Sequence, residues 1–165
     1  MITVDVLCAA LRYDAASGEI VWVSSPRAGM PAGLAGPKLG PDGYRRIKVR
    51  GRTYLAHRLA WVLHYGEWPS QRIDHINGVR HDNRIANLRL CTNSQNVAHQ
   101  FKARVSASGL RGVYPERGRW CSKIVINYQP HYLGSFSTKE AAADAYRAAA
   151  IKHFGDFAAP ISIKR

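Results

Sequence analysis

The sequence predicts an α+β protein. A β-hairpin leading into a short helix lies mid-chain, and a three-stranded antiparallel sheet packed on one helix follows it. Three observations carry this reading. Short apolar and β-branched runs alternate with turn signals such as Gly51, Asn77-Gly78 and Gly118, which suits strands of small hairpins. Helical periodicity is confined to a few stretches, chiefly 57–65 and the alanine-rich 138–154. The 165 residues are 46% hydrophobic, enough to bury a core and unlike a disordered chain.

The elements follow in order. Val4, Leu7, Cys8 and Leu11 share one helical face in residues 3–11. Residues 13–20 read as a turn into a strand at 20–23. Residues 24–43 are rich in Gly, Pro and Ala with little periodicity, which is loop or linker composition. Strands at 44–49 and 52–56 flank the Gly51 turn, and a helix from His57 to about Tyr65 stops near Gly66 and Pro69. A strand at 72–76 meets the tight-turn signal Asn77-Gly78, and Leu88-Arg89-Leu90 forms a second short run. Thr92 precedes Gln95 at capping-box spacing, so a helix starts at Asn93 and runs toward Phe101. Residues 105–109 suit a linker into a second module. Three strands are expected there, at 110–114, 120–127 and 131–136, punctuated by Gly118 and Pro130. Ser137, with Glu140 at capping-box spacing, is expected to cap a helix ending at Gly155, whose Ala141, Ala142, Ala145, Ala148 and Ala149 make a smooth packing face.

Formal net charge is +13, and its distribution says more than its size. Residues 1–42 carry three basic and four acidic side chains, net −1. Residues 43–105 carry twelve and three, net +9, and residues 106–165 carry nine and four, net +5. The middle segment therefore suits a polyanionic partner. No lipidation motif, basic amphipathic helix or apolar run of membrane length supports a membrane surface instead. Cys8, Cys91 and Cys121 are odd in number and far apart, which argues against a zinc knuckle or disulfide framework. No signal peptide is visible, and a reducing cytoplasm is the expected compartment.

The chemistry concentrates between residues 74 and 96. A hairpin followed by a helix would bring the Asp74 carboxylate, the His75 imidazole and the Asn96 carboxamide together. Two oxygen ligands, completed by waters and a phosphate oxygen, suit Mg²⁺, and an imidazole beside them can activate water. The ordered set Asp74-His75, Asn83, Asn87-Leu88-Arg89 and Thr92-x-x-x-Asn96 resembles the HNH nuclease family, in particular its small phage-type homing endonucleases. The resemblance implies a ββα-metal (His-Me finger) domain over 43–105, with 1–42 an accessory segment that can complete it. It implies Asp74 and Asn96 as metal ligands and His75 as the water-activating base. Asn87 matches the residue that braces the hairpin or orients the His, and Asn83 is a rival for that role. His57-Arg58-Leu59 matches an upstream triplet of this subgroup without a firm chemical role; His57 suits packing on its own helix. Asn rather than His at the last position favours Mg²⁺ or Mn²⁺ over zinc, one ion per site. His99 is expected to face solvent or DNA. Arg45, Arg46 and Lys48, with Arg50 and Arg52, crowd the preceding hairpin as either a solvated face or a phosphate-gripping one.

Residues 108–158 resemble the DNA-binding domain of plant ethylene-response factors. The matching residues are Arg111-Gly112-Val113, Arg119-Trp120, Ile124, Leu133-Gly134-Ser135-Phe136, Ala145-Tyr146-Arg147-Ala148-Ala149 and Gly155. The resemblance implies a sheet in the DNA major groove, with Arg111, Arg119 and Trp120 as contacts and Arg117 nearby. Lys123 and Val125 depart from the family pattern, so its sequence preference does not transfer.

Together these features lead us to expect a metal-dependent endonuclease acting on double-stranded DNA, with no small-molecule cofactor, and a monomer is a natural nickase. The competing expectation is a non-catalytic DNA-binding regulator in which the hairpin and helix are only scaffold.

Overall fold

The structure is a computed structural model that describes residues 2–23, 33–36, 38–99 and 108–158. It divides into two compact units, Met1–Cys91 and Thr92–Arg165.

The first unit is a set of two-stranded ribbons around one helix. Helix α1 (Val4–Ala10) runs into strand β1 (Leu11–Tyr13), which pairs antiparallel with β2 (Ile20–Trp22). Strand β1 is absent from the sequence reading because Leu11 also fits the helical face. Strands β3 (Arg46–Val49) and β4 (Arg52–Leu55) form the next ribbon. Helix α2 (Ala56–Tyr65) follows directly and stops at Gly66, which adopts the left-handed conformation and donates its N–H to the Val62 carbonyl. Strands β5 (Arg72–His75) and β6 (Leu88–Cys91) form the third ribbon, with Asp74 opposite Arg89 and His75 opposite Leu88. Leu7, Leu11, Ile20, Ile47, Val49, Leu59 and Val62 are buried in one core, so α2 is the element against which the ribbons are held. Of the loop expected at 24–43, residues 24–32 and 37 lie outside the described residues. Leu34 bridges Val21, and Leu39 bridges Arg45.

The second unit begins with helix α3 (Asn93–His99). Its capping box is formed as expected: the Gln95 side-chain oxygen accepts from the Thr92 N–H, and Thr92 Oγ1 accepts from the Gln95 N–H. A seven-residue helix cannot stand alone. Its last turn is held by Arg111, whose guanidinium donates to the carbonyls of Ala98 (2.6 Å) and Val97 (2.9 Å). Ala98 lies in the core of this unit, and the His99 ring stands edge-on to Phe157. The structural division therefore falls before α3, whereas the sequence suggested a boundary after it. The expected continuation toward Phe101 and most of the expected linker lie outside the described residues.

Strands β7 (Val113–Glu116), β8 (Arg119–Ile126) and β9 (Gln129–Phe136) form an antiparallel three-stranded sheet, with a register shift between Ser122 and Lys123. Helix α4 (Lys139–Phe154) packs on it and ends at Gly155. Its cap is Thr138 rather than Ser137: Thr138 has extended backbone, and its Oγ1 accepts from the Ala141 N–H. The buried face of α4 is Ala142, Ala143, Tyr146, Ala150 and Phe154, while Ala148 is exposed. Tyr146 and Phe154 set this face, because aromatic burial outweighs that of the alanines. Among the described residues no helix is long and apolar enough to cross a membrane.

Leu59 is fully buried at the centre of the first unit. We expect Leu59→Ala to cost about 2–5 kcal/mol, measured by urea denaturation followed through far-ultraviolet circular dichroism.

Candidate active site

The end of β5 is where the chemistry gathers. Asp74 and His75 are consecutive strand residues, so their side chains leave the ribbon on opposite sides. Both are buried, at 7% and 4% exposure. Burial of two polar groups demands partners, and each side chain has its own.

Asp74 Oδ2 accepts from Arg89 Nε at 2.9 Å, across the ribbon from its paired residue. Removing one partner of a buried ion pair leaves the other charge uncompensated, so Arg89 holds the carboxylate in place.

His75 is held from three sides. Its Nε2 lies 3.3 Å from Asn83 Oδ1. A carboxamide oxygen only accepts, so Nε2 carries the hydrogen and the lone pair sits on Nδ1. The His57 ring stands edge-on to the His75 ring, with centroids 5.2 Å apart, and Tyr44 lies 6.0 Å from His75 and 5.2 Å from His57. Arg80 covers the other side of this assembly, its guanidinium over the Tyr44 ring at 5.2 Å and bonded to the Asp42 carbonyl. Burial pushes the His75 imidazole below its ordinary pKa, partly opposed by the Asn83 hydrogen bond and the Asp74 charge. A neutral imidazole with a fixed tautomer is what a proton acceptor needs.

The two asparagines, left as rivals by the sequence, occupy different places. Asn83, 3% exposed, is the residue beside His75. Asn87 braces the turn: its Oδ1 accepts from the Asn77 N–H, its Nδ2 donates to the Asp82 carbonyl, and its carbonyl accepts from the Ile76 N–H. Asn96 is in the second unit, on α3, with its N–H bonded to the Thr92 carbonyl. His99, expected to face solvent or DNA, is instead buried against Phe157.

The basic hairpin splits between two faces. Strand alternation exposes Arg46 and Lys48, while Arg45 turns inward and its Nε is buried. Arg46 pairs with Asp42 through both terminal guanidinium nitrogens, which holds the Asp42 carboxyl well below the usual carboxylate range.

In the second unit, Arg119 and Trp120 are adjacent strand residues and face opposite ways, so the two expected contacts do not share one sheet face. Trp120 packs with the core on the α4 side, where the Lys139 ammonium lies over its ring. Arg111 holds α3, as described above. The face away from α4 presents Arg119, bonded to Ser135, with Lys123 over the Tyr114 ring and Tyr132, which is 61% exposed. Arg117 sits at the β7–β8 turn with positive φ.

Residues 54–98 match the model of the HNH endonuclease family. Over this segment the chain is similar to HNH endonucleases. Two relatives, both uncharacterized HNH endonucleases of Acanthamoeba polyphaga mimivirus, share similarity with the chain. One is 31% identical over 126 residues, 76% of this chain and 66% of the relative. The other is 34% identical over 74 residues, 41% of this chain and 22% of the relative. The chain thus spans a little under two thirds of the first relative's length. The matched segment runs from the end of β4 through α2 and the β5–β6 ribbon into α3, while α1, β1, β2 and β3 lie before it.

Tyr44 and Arg80 carried no signal in the sequence, since an aromatic before a strand and an arginine in a loop are ordinary. His57 carried one, in His57-Arg58-Leu59, but its partner was not readable. Burial, the neighbouring His75 and the Arg58 charge push its imidazole down from 6.5 to about 3. Below pH 6.5 the unfolded chain binds a proton at this position that the folded chain does not, so stability is full above that pH and falls as pH drops toward about 3. We expect a decline approaching 1.4 kcal/mol per pH unit for this one proton, flattened in His57→Gln, read from urea midpoints between pH 7 and pH 4.

Proposed function

We propose that the chain is a metal-dependent DNA endonuclease that hydrolyses phosphodiester bonds. The observation that carries this reading is the buried His75, its Nε2 at hydrogen-bond distance from Asn83 Oδ1, in a segment that matches the HNH endonuclease model.

The donor chemistry fits a hard divalent cation, Mg²⁺ or Mn²⁺. Among the described residues no three His, Cys, Asp or Glu side chains gather into a metal cluster. The donors that the resemblance implies, the Asp74 carboxylate and the Asn96 carboxamide, are both oxygens, which suits an ion that keeps waters and shares a phosphate oxygen. Asp74 and Asn96 would hold the ion, which when bound would neutralise charge on the phosphate and its leaving oxygen. His75 Nδ1 takes the proton from the attacking water. The new bond joins water oxygen to phosphorus, the bond to the 3′-oxygen breaks, and that oxygen takes a proton from solvent, so the strand ends as a 5′-phosphate and a 3′-hydroxyl. Asn83 stabilises the imidazolium orientation, and Asn87 keeps the intervening turn in shape. One such centre per chain makes nicking the natural outcome for a monomer.

The second unit is proposed as the DNA reader, in keeping with its resemblance to the ethylene-response-factor domain. Arg119, Lys123, Tyr132 and Arg117 would meet DNA from the sheet face opposite α4. Arg46 and Lys48 would add phosphate contacts from the first unit. A phage or viral element working in a host cytoplasm fits the company of viral relatives.

Supercoiled plasmid incubated with protein and Mg²⁺ tests the reading. Nicked or linear product that disappears with EDTA is expected, and His75→Ala should lower the rate by about 10²–10⁴-fold with DNA binding retained. Intact plasmid across Mg²⁺ and Mn²⁺ would favour the non-catalytic regulator. For the reader, Arg119→Ala and Lys123→Ala should each reduce the slope of log affinity against log salt by about 1. Trp120→Ala should instead lower thermal stability, and fluorescence anisotropy across a salt series with a melting curve separates the two effects.

A further inference from the structure

We propose that the N-terminal ribbon, β1–β2, is a positioning element for the active site, and that Tyr13 is its key residue, acting through Asn83. The inference rests on the assignment of His75 as the base. It concerns residues that lie outside the HNH segment.

Three contacts join the ribbon to the loop that carries Asn83. The Tyr13 hydroxyl donates to the Asn83 carbonyl at 2.7 Å, the two residues being 70 apart in sequence. The Ile85 N–H donates to the Ala15 carbonyl at 3.2 Å. Gly18 lies flat against the Asn83-Arg84 peptide: a Cβ there would sit 2.4 Å from the Arg84 nitrogen and 2.6 Å from the Asn83 carbonyl carbon. Gly18 also has φ +77°, so both the approach and the backbone require glycine. These contacts fall on residues 83, 84 and 85, one side of the carboxamide that receives His75 Nε2.

The ribbon is stiff enough for this work. Its turn is closed by Asp14, whose Oδ1 accepts from the Ala16 N–H and whose Oδ2 accepts from the Ser17 hydroxyl, while its carbonyl accepts from the Gly18 N–H. Leu11 and Ile20, on its two strands, are buried in the core with Leu59 of α2. The Tyr13 hydroxyl is half-buried, and its pKa is pushed up to about 12 mainly by that burial, so it stays a donor throughout the working range.

The loop from Asn77 to Ile85 is long and largely exposed, and Asn83 is buried within it. A loop side chain fixes an imidazole only if its own backbone is fixed. Asn87 and Asp82 hold the loop from one side through the Asn77 and Arg84 contacts. The N-terminal ribbon holds it from the other. Tyr13 touches no substrate; it sets where the Asn83 oxygen stands, and so which nitrogen of His75 is free.

The test is Tyr13→Phe in the full chain, read by nitrogen NMR of the His75 imidazole in metal-free protein and by single-turnover nicking. In the wild type His75 should show a protonated Nε2 and an unprotonated Nδ1. In Tyr13→Phe the two nitrogen signals should move toward each other as the tautomers mix. The turnover rate should fall about 10-fold with the KM for DNA unchanged, the size typical of a lost supporting contact. Gly18→Ala, which displaces the ribbon tip without touching the Tyr13 hydroxyl, should give the same two signatures. Val4→Ala, on α1 against the same core, should lower stability and leave both unchanged. Wild-type His75 signals in folded Tyr13→Phe would overturn the proposal, as would an equal shift in Val4→Ala. The NMR arm stands without activity, so a chain that cuts no DNA would refute the nuclease reading and leave the positioning question to be decided by the spectra alone.

Discussion

One hydrogen bond organises the first unit: His75 Nε2 to Asn83 Oδ1, between two buried side chains. An imidazole buried without a partner would tumble between tautomers and carry an unsatisfied donor. With the Asn83 oxygen in place, Nδ1 is left as the proton acceptor. Much of the surrounding structure serves that geometry. Tyr44 and His57 fill the ring faces and edges, Asn87 ties the turn, and the β5–β6 register sets Asp74 against Arg89 on the other side of the strand.

The same economy explains why the unit needs α2 and the N-terminal ribbon. Two-stranded ribbons are marginal in water by themselves. Leu59, Ala60 and Val62 of α2 give three of them a shared apolar surface. His57, on the same helix two residues before Leu59, is then buried as a consequence of the helix packing, with its ring edge-on to that of His75. Its low pKa is the electrostatic cost of that position, and it keeps a second positive charge away from His75.

Much of this was legible in the sequence, for stated reasons. Asn77-Gly78, Gly66 and the Thr92–Gln95 pair each report one local conformation, and each is found where it was expected. Strand alternation was legible too, but its consequence for Arg119 and Trp120 was missed. Adjacent strand residues cannot share a face, and the apolar one goes to the helix side. Long-range choices were not legible. Nothing local distinguishes Asn83 from Asn87, because their difference lies in what folds against the loop, and Tyr13 is seventy residues away. Nor could spacing show that α3 packs with the second unit, since Arg111 and Phe157 decide it from beyond the linker. Ser137 and Thr138 are equally good caps on paper, and the extended backbone at Thr138 chooses between them.

The central claim is that Asn83 orients the base that activates water. Single-turnover nicking of supercoiled plasmid by Asn83→Ala, beside the wild type at saturating Mg²⁺, tests it most directly. The account predicts a rate lower by about 10–100-fold with unchanged plasmid affinity, as expected when the partner that orients a catalytic imidazole is removed. An Asn83→Ala protein that nicks at the wild-type rate would contradict it.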